Sequence, residues 1–306
     1  MTIRFDDRVA LVTGAGNGLR RAHALGLAAR GATVVVNDLG GTRDGQGGSP
    51  VAAQAVADEI IAAGGKAMAN GANITDVDAV QEMIVAIKDA YGRLDIVVNN
   101  AGILRDKSFA KMTMDDFDAV IDVHLRGSAI VTHAAWPLLR EQTYGRVVFT
   151  TSPSGLYGNF GQSNYSAAKM GVVGLMNTLH MEGAKYDIRV NCLAPTAFTR
   201  MTDDLGMPEP AAKTLDPESV TPAVVYLVSE DAPSRTIMSA AAGSFTVTQL
   251  VETEGVWLPP EARTADDLAA QFAKVQDRSS GERLYANAGE QTTYFVTRAM
   301  ASQSAS

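Results

Sequence analysis

The sequence predicts an α/β fold in which a doubly wound, seven-stranded parallel sheet carries helices on both faces. Three observations lead there. Seven short apolar runs alternate with six longer helix-like segments along 306 residues. Parallel strands require helical crossovers, so this alternation implies a parallel sheet. The first run leads directly into a glycine-rich turn, Gly14-Ala15-Gly16-Asn17-Gly18, and the second ends in an acidic residue, Asp38. Turns of this type open dinucleotide-binding sheets of the Rossmann type.

The elements follow in order. Residues 8–13 (RVALVT) suit a buried strand, and residues 18–30 suit the helix after it. Glycines between the two let backbone approach a diphosphate, and the helix N-terminus supplies N–H donors and a favourable dipole. Residues 33–37 (TVVVN) give the second strand. Asp38 then stands about 20 residues past the glycines, where an acceptor for ribose hydroxyls belongs. Residues 40–50 are glycine-rich and read either as a mobile loop beside the adenosine or as a plain connector. A helix over 50–63, a strand over 66–70 and a helix over 76–91 come next. The strand at 94–98 runs into a small-residue turn, Asn99-Asn100-Ala101-Gly102. A helix over 115–140, strand 145–150, helix 163–186, strand 188–193, helix 217–229 and strand 244–249 complete the set.

The chemistry is concentrated after the fifth strand. Ser152 precedes Tyr165 by thirteen positions, and Lys169 follows Tyr165 by four. Tyr and Lys at i and i+4 share one helix face. A neighbouring ammonium is expected to lower a phenol pKa that is ordinarily near 10. That would give a proton donor and acceptor suited to neutral pH. A hydroxyl from the strand end, Ser152, is placed to bond the same substrate oxygen. Ser154 and, behind it, Thr151 compete for that role. A turn or cap is the commoner fate of a lone Ser.

Together these residues resemble the short-chain dehydrogenase/reductase family. The resemblance is carried by residues 13–18 (TGAGNG), 99–102 (NNAG), Ser152, Tyr165, Lys169 and the stretch from Asn191 to Pro195, and spans roughly residues 5–250. Within the family, residues 36–41 (VNDLGG), 101–106 (AGILRD), 123–127 (VHLRG) and 155–161 (GLYGNFG) are similar to the (3R)-hydroxyacyl-CoA dehydrogenase part of peroxisomal multifunctional enzyme type 2 and its bacterial relatives. Those are also described as 17β-hydroxysteroid dehydrogenase type 4-like. The resemblance implies that Tyr165 is the acid/base, that Lys169 supports it and contacts the nicotinamide ribose, and that Ser152 orients the reacting oxygen. It implies cofactor contacts at Gly14, Asn17, Gly18, Leu19, Asp38, Asn73, Ile74, Asn100, Ala101, Gly102, Tyr165, Lys169, Pro195 and Thr199. It also implies a substrate lid near 200–216 and association into a homodimer or homotetramer.

The chain departs from the family pattern at three points. Where an Asn commonly completes the catalytic set, this sequence has His124. A neutral imidazole in a water relay and a buried structural histidine both fit. The third glycine of the first turn is Arg20, which either swings outward or pairs with an acid or with the diphosphate. The Asp that usually holds adenine is Asn73, which both accepts and donates. Asp38 favours NAD over NADP, because a carboxylate repels a 2′-phosphate. Asn17 and Leu39 are neutral where NADP users often carry a base, although Arg20, Arg21 and Arg43 are nearby in sequence.

The bulk numbers set boundaries. A net charge of −8 and a pI near 5.1 argue against a nucleic-acid partner. One cysteine, Cys192, lies in an apolar strand and reads as a buried structural thiol. No metal site and no membrane insertion are expected. There is no apolar signal core at the start and no Ser-Lys-Leu at the end, so the cytoplasm is the expected compartment. Residues 1–258 are expected to form the dinucleotide-binding and catalytic domain. Residues 259–306 are expected to form a helical extension with a disordered tail rather than an independent domain. In it, residues 262–278 read as a helix capped by Thr264, with Leu268, Phe272 and Val275 on one face.

Three functions compete. The first is an NAD-dependent dehydrogenase of secondary alcohols, with a 3-hydroxyacyl-CoA or hydroxysteroid-type substrate. Arg105, Lys107, Lys111, Arg126 and Arg200 are candidates to hold CoA phosphates, or are solvated surface charges. The second is an NADPH-dependent 3-oxoacyl reductase, against which Asp38 speaks. The third is a dinucleotide-binding regulator without turnover, for which retention of Ser152, Tyr165 and Lys169 is unnecessary.

Overall fold

A computed structural model describes residues 2–49, 51–197 and 213–304. Thr199 and most of the expected lid therefore lie outside the described residues. The chain divides into two compact units, Met1–Val247 and Thr248–Ser306.

The first unit is built on a sheet in the order β3-β2-β1-β4-β5-β6-β7-β8. Its strands are β1 (Val9–Thr13), β2 (Thr33–Asn37), β3 (Lys66–Asn70), β4 (Ile96–Asn99), β5 (Gly145–Thr150), β6 (Ile188–Thr196), β7 (Ile237–Ala241) and β8 (Ser244–Thr248). Every pairing from β3 through β7 is parallel. Eight strands replace the seven expected. Ile237–Ala241 is the seventh, made largely of small residues with little apolar signal. The stretch expected as the seventh is the eighth, joined to β7 by a turn with Ala242 and Gly243 at φ 48 and 76. Two-residue turns of this hand connect antiparallel neighbours.

Alternate strand residues face opposite layers. Ala10, Val12, Val34 and Val36 pack with Leu27, Val56 and Ile60 of helices α1 (Gly18–Ala28) and α2 (Val51–Ala62). Leu11, Val35, Val97 and Phe149 face α3 (Val77–Tyr91), α5 (Gly127–Gln142) and α7 (Ser163–Gly183). Burial on both faces explains why these strands read as continuous apolar runs. Asp76 caps α3 by accepting from the N–H groups of Asp78 and Ala79, and Gly92 ends it in the left-handed region at φ 74.

The single helix expected over 115–140 is instead α4 (Met114–Ile121), a π-turn at Asp122–Arg126, and α5. Such bulges concentrate at functional positions, and this one carries His124. A short helix, α6 (Pro153–Tyr157), precedes α7, and α8 (Thr221–Leu227) closes the first layer. Beneath the sheet, the fully buried Asp95 accepts from the Val9 amide at 2.9 Å and pairs with Arg8 at 3.0 Å and Arg93 at 2.6 Å.

The second unit contains a two-stranded antiparallel pair, β9 (Glu252–Thr253) and β10 (Glu282–Arg283). Helix α9 (Ala265–Val275) starts in a capping box formed by Thr264 and Asp267. Its Leu268 and Phe272 are exposed. In place of the expected disordered end, residues through Ser304 form helix α10 (Ala288–Ser304). Tyr294 of α10 donates to Glu254 at 2.6 Å, and Arg298 donates to the Glu254 carbonyl at 2.6 Å. These anchors are long-range, which local composition does not reveal. No helix among the described residues is long and apolar enough to cross a membrane.

Replacing Asp95 with Ala leaves the buried Val9 amide unpaired and removes a carboxylate partner from two partly exposed guanidinium groups, of which Arg8 keeps Glu230 at 3.2 Å. We expect a loss of about 1–3 kcal/mol in stability, measured by urea unfolding. A loss within error would show that the ion cluster does not anchor β1 to β4.

Candidate active site

The strand order reverses between β1 and β4, and the crevice at such a point, beyond the carboxyl ends of the strands, is where open sheets bind ligands. Two adjoining cavities of about 400 Å³ and 350 Å³ occupy it. Asn17, Arg20 and Arg43 line both.

The first cavity is framed by the β1, β2 and β4 turns. Gly14 takes φ +68, and a Cβ there would lie 2.7 Å from the Ala101 Cα, so the turns meet too closely for a side chain. Asp38 accepts from the Gly16 amide at 2.7 Å and the Gly40 amide at 2.6 Å. A carboxylate has further acceptor capacity, so these bonds orient it without exhausting it. Gly16 was not among the expected contacts, yet a Cβ on it would sit 2.8 Å from the Asp38 carboxylate. Asn73 uses its side-chain oxygen to accept from the Thr75 N–H at 3.1 Å and hydroxyl at 3.0 Å. Ile74 lines the same cavity, with Ala101 and Gly102 opposite.

Residues 40–49 are not a loose loop. The Leu104 amide donates to the Arg43 carbonyl and Arg105 Nε donates to the Asp44 carbonyl, each at 3.0 Å. They form a wall of the first cavity, supplied by a distant turn that composition cannot report.

The second cavity collects Ser152, Tyr165, Lys169 and His124, together with Gly18, Leu19, Asn100 and Pro195. Ser152 is the N-cap of α6, accepting from the Ser154 amide at 3.1 Å, and its hydroxyl stands by the Tyr165 phenol, where it favours the ionised form. The cap and the oxygen-orienting position thus fall on one residue. Lys169 lies one turn beyond Tyr165 on α7, its Nζ 5.5 Å from the ring centroid. That Nζ donates to the Thr150 carbonyl at 2.6 Å. Two residues the sequence reasoning missed fix this geometry. Gly155 lets α6 lie on α7, since a Cβ there would come within 2.7 Å of Lys169 Cβ. Buried Asn164 accepts from the Tyr165 amide at 2.8 Å and donates to the carbonyls of Arg105 and Asp116. Nothing in local sequence marks either one, because their partners are remote.

The electrostatics depart from the sequence expectation. Burial raises the Tyr165 pKa; the Ser152 hydrogen bond and the Arg20 charge oppose it, and Asp106 adds to the rise. Burial, and then Arg20, bring Lys169 down to about 7. Its amine therefore titrates near neutrality, far below a free lysine. His124 is buried, and burial followed by the Lys169 charge pushes its pKa well below the usual value, so the imidazole is neutral. Its Nε2 lies 3.1 Å from the Ile103 amide and 2.8 Å from the Ile103 carbonyl. Its ring stands edge-on to Tyr165 at 5.0 Å and fills the space where Gly102 would carry a Cβ. His124 Nδ1, Asn100 Nδ2 and Thr150 Oγ1 are buried without protein partners. Orphaned polar atoms on one wall fit a polar occupant, and a dinucleotide suits these donors, the glycine turn and Asp38 together.

The basic residues proposed for CoA are not an open cluster. Lys107 and Arg105 share Asp116, at 2.8 Å and 3.6 Å, and Arg126 donates to the Thr75 carbonyl. Arg200 lies outside the described residues. Among the described residues, no group of acids, histidines and cysteines is arranged to hold a metal.

Residues 8–209 match the short chain dehydrogenase family, and the chain belongs to it. Members of this class are oxidoreductases that act on CH–OH groups. The chain is 49% identical over 279 residues to a short-chain type dehydrogenase/reductase of Mycobacterium tuberculosis, covering 90% of this chain and 96% of that one. It is similar to the full-length peroxisomal multifunctional enzyme type 2 of Drosophila melanogaster, with a TM-score of 0.81 and 36% identity, covering 97% of this chain and 50% of that one. It also resembles a 7 alpha-hydroxysteroid dehydrogenase complexed with NADH and 7-oxo glycochenodeoxycholic acid, with a TM-score of 0.71 and 28% identity over 79% of this chain and 95% of that one. The chain spans 29% to 47% of the multifunctional relatives from yeast, mouse and fly.

The Lys169 pKa has a consequence for stability. Unfolded, the amine stays protonated to about pH 10.4; folded, it loses its proton near 7. Between these values the unfolded state binds more protons, so stability rises with pH there and is level below. Lys169→Met should remove a slope of up to about 1.4 kcal/mol per pH unit in urea titrations between pH 7 and 9. Identical slopes in the two proteins would contradict the assignment.

Proposed function

We propose that the chain is an NAD-dependent dehydrogenase interconverting a secondary alcohol and a ketone, with a 3-hydroxyacyl-CoA as its substrate class. The observation that carries this is the convergence of Ser152, Tyr165 and Lys169 on one cavity that adjoins the glycine turn and Asp38. The nicotinamide, when bound, supplies hydride exchange. The rest falls to the protein. Tyr165, protonated in the free enzyme because burial raises its pKa, gives its proton to the ketone oxygen and takes it from the alcohol in the reverse direction. Ser152 holds that oxygen. Lys169, anchored on the Thr150 carbonyl, keeps a fixed distance from the phenol and offers further donors to a ribose hydroxyl. Asn73, Ile74, Ala101 and Gly102 wall the adenosine half.

NAD is favoured because Asp38 is pre-oriented by two amides and Leu39 beside it is neutral. The thioester reading rests on the subfamily resemblance and not on free positive charge, since Asp116 already offsets Arg105 and Lys107. The hydroxysteroid alternative draws on the steroid-dehydrogenase likeness. Exposed Met170 and Met181 on α7 support a homo-oligomer, for which light scattering should return a dimer or tetramer mass; a monomer at micromolar concentration would exclude it.

A rate assay at 340 nm with NAD and NADP, against a 3-hydroxyacyl-CoA, its free acid and a hydroxysteroid, tests the assignment. The thioester with NAD should give the highest kcat/KM. Equal or faster use of the free alcohols would sink the CoA reading. Tyr165→Phe should lower kcat by roughly 10²–10⁴-fold while NAD affinity stays near wild type. Asp38→Ala should narrow the preference for NAD in calorimetric titrations, and equal affinities for both cofactors in the wild type would refute the basis of that preference.

A further inference from the structure

Three polar side chains outside the catalytic set, Asp106, Asn159 and Gln162, line the second cavity beside Ser152 and Tyr165. They line that cavity only, not the one walled by Asp38 and Asn73, so they belong to the substrate end of the crevice. Gln162 is the N-cap residue of α7, yet its side chain makes no bond to the helix. It is held in a chain of hydrogen bonds instead. Asn159 Nδ2 donates to Gln162 Oε1 at 3.0 Å, and Gln162 Nε2 donates to Asp106 Oδ2 at 2.7 Å. An ionised carboxylate only accepts, so the amide nitrogen of Gln162 has to face Asp106 and its oxygen Asn159. A side-chain amide has two N–H donors. Asp106 takes one, and no described residue takes the other.

Asp106 is exposed, but its backbone is tied down on either side. The Arg105 carbonyl accepts from Asn164 Nδ2 at 3.1 Å, and the Lys107 amide donates to the Gly161 carbonyl at 2.9 Å. Both tethers run to the loop and first turn that carry Gln162 and Tyr165. The charge of Asp106 also reaches Tyr165, whose proton it helps to retain. Gln162 and Tyr165 are three positions apart, a spacing that in a helix gives one face and about 4.5 Å of rise. Ser152 and Tyr165 hold the reacting oxygen, so a donor this close meets a second oxygen only where the substrate carries one on a nearby carbon. In a 3-hydroxyacyl or 3-oxoacyl group, the carbonyl of carbon 1 stands two carbons from the reacting carbon and is such an acceptor. An isolated ring alcohol offers none.

We propose that Gln162 is a substrate-binding residue whose second N–H donates to the carbon-1 carbonyl of a 3-hydroxyacyl or 3-oxoacyl group, with Asp106 and Asn159 as the residues that position it. This rests on the dehydrogenase reading above and sharpens it: the hydrogen-bond chain recognises the 1,3-relation of two oxygens rather than the coenzyme A tail. Carbon 1 remains a carbonyl throughout the reaction, so the contact orients carbon 3 in both directions.

Calorimetry on the enzyme–NADH complex, which binds the alcohol without turning it over, tests this with two probes. One is 3-hydroxyoctanoyl-CoA. The other is its thioether analogue, in which a CH2 group replaces the thioester carbonyl. The wild type should bind the thioester about tenfold more tightly. Gln162→Leu should bind both alike, with its NADH affinity near wild type and matched thermal melts showing that it folds. Asp106→Ala should lower the ratio in the same direction, and Asp106→Asn, which keeps an acceptor for the amide, should restore part of it. Equal affinity of the wild type for the two probes would overturn the proposal. So would an unchanged ratio in Gln162→Leu, even with both affinities reduced, because the side chain would then only shape the cleft. If the wild type oxidises the thioester with neither NAD nor NADP, the dehydrogenase reading itself fails, a result distinct from an altered binding ratio.

Discussion

The reversal of strand order between β1 and β4 is the constraint from which the site follows. Helices after β1 and β4 leave the sheet toward opposite faces, so no element fills the space beyond those two strand ends. Every turn that emerges there contributes to one crevice: Gly14 after β1, Asp38 after β2, Asn100 to Gly102 after β4, Ser152 after β5 and Pro195 within β6. The register aligns Thr13 with Asn37 and Val98 with Val12, so these ends finish at one level. Thr13 reinforces the join, because its hydroxyl accepts from the amides of both Asn100 and Ala101.

Within that crevice the dominant electrostatic fact is a buried amine beside a second cation. Desolvation disfavours the charged form of Lys169, and Arg20 disfavours it further. The neighbouring imidazole of His124 is neutral for the same reasons. A charged histidine there would add a third cation beside Lys169 and Arg20.

The protein secures these groups with backbone rather than with other charges. Lys169 rests on a carbonyl, Asp38 on two amides, His124 against Ile103 and Gly102. Backbone partners do not titrate, so the positions hold across the pH range in which the side chains change charge. Glycine stands at three points where a side chain of the candidate site presses on main chain: Gly16 against Asp38, Gly102 against His124, Gly155 against Lys169.

Sequence by itself determined the alternation of strands and helices, the turn that approaches a diphosphate, the carboxylate at the second strand end and the helical spacing of Tyr165 and Lys169. All of these are local: apolar period, turn chemistry and i, i+4 geometry act over a few residues and leave their mark in the chain. Strand β7 escaped notice because it is short and only Ile237 and Ala240 in it are buried, so it leaves no continuous buried apolar run. The break at Asp122–Arg126, the tethered wall over 40–49 and the helical end of the second unit also depend on remote partners. Tertiary structure alone decided the state of the site. The charge on Lys169 depends on desolvation and on Arg20, a residue 149 positions earlier in the chain. A pKa is set by what surrounds a group in space, and that surrounding exists only once the strands have brought their ends together.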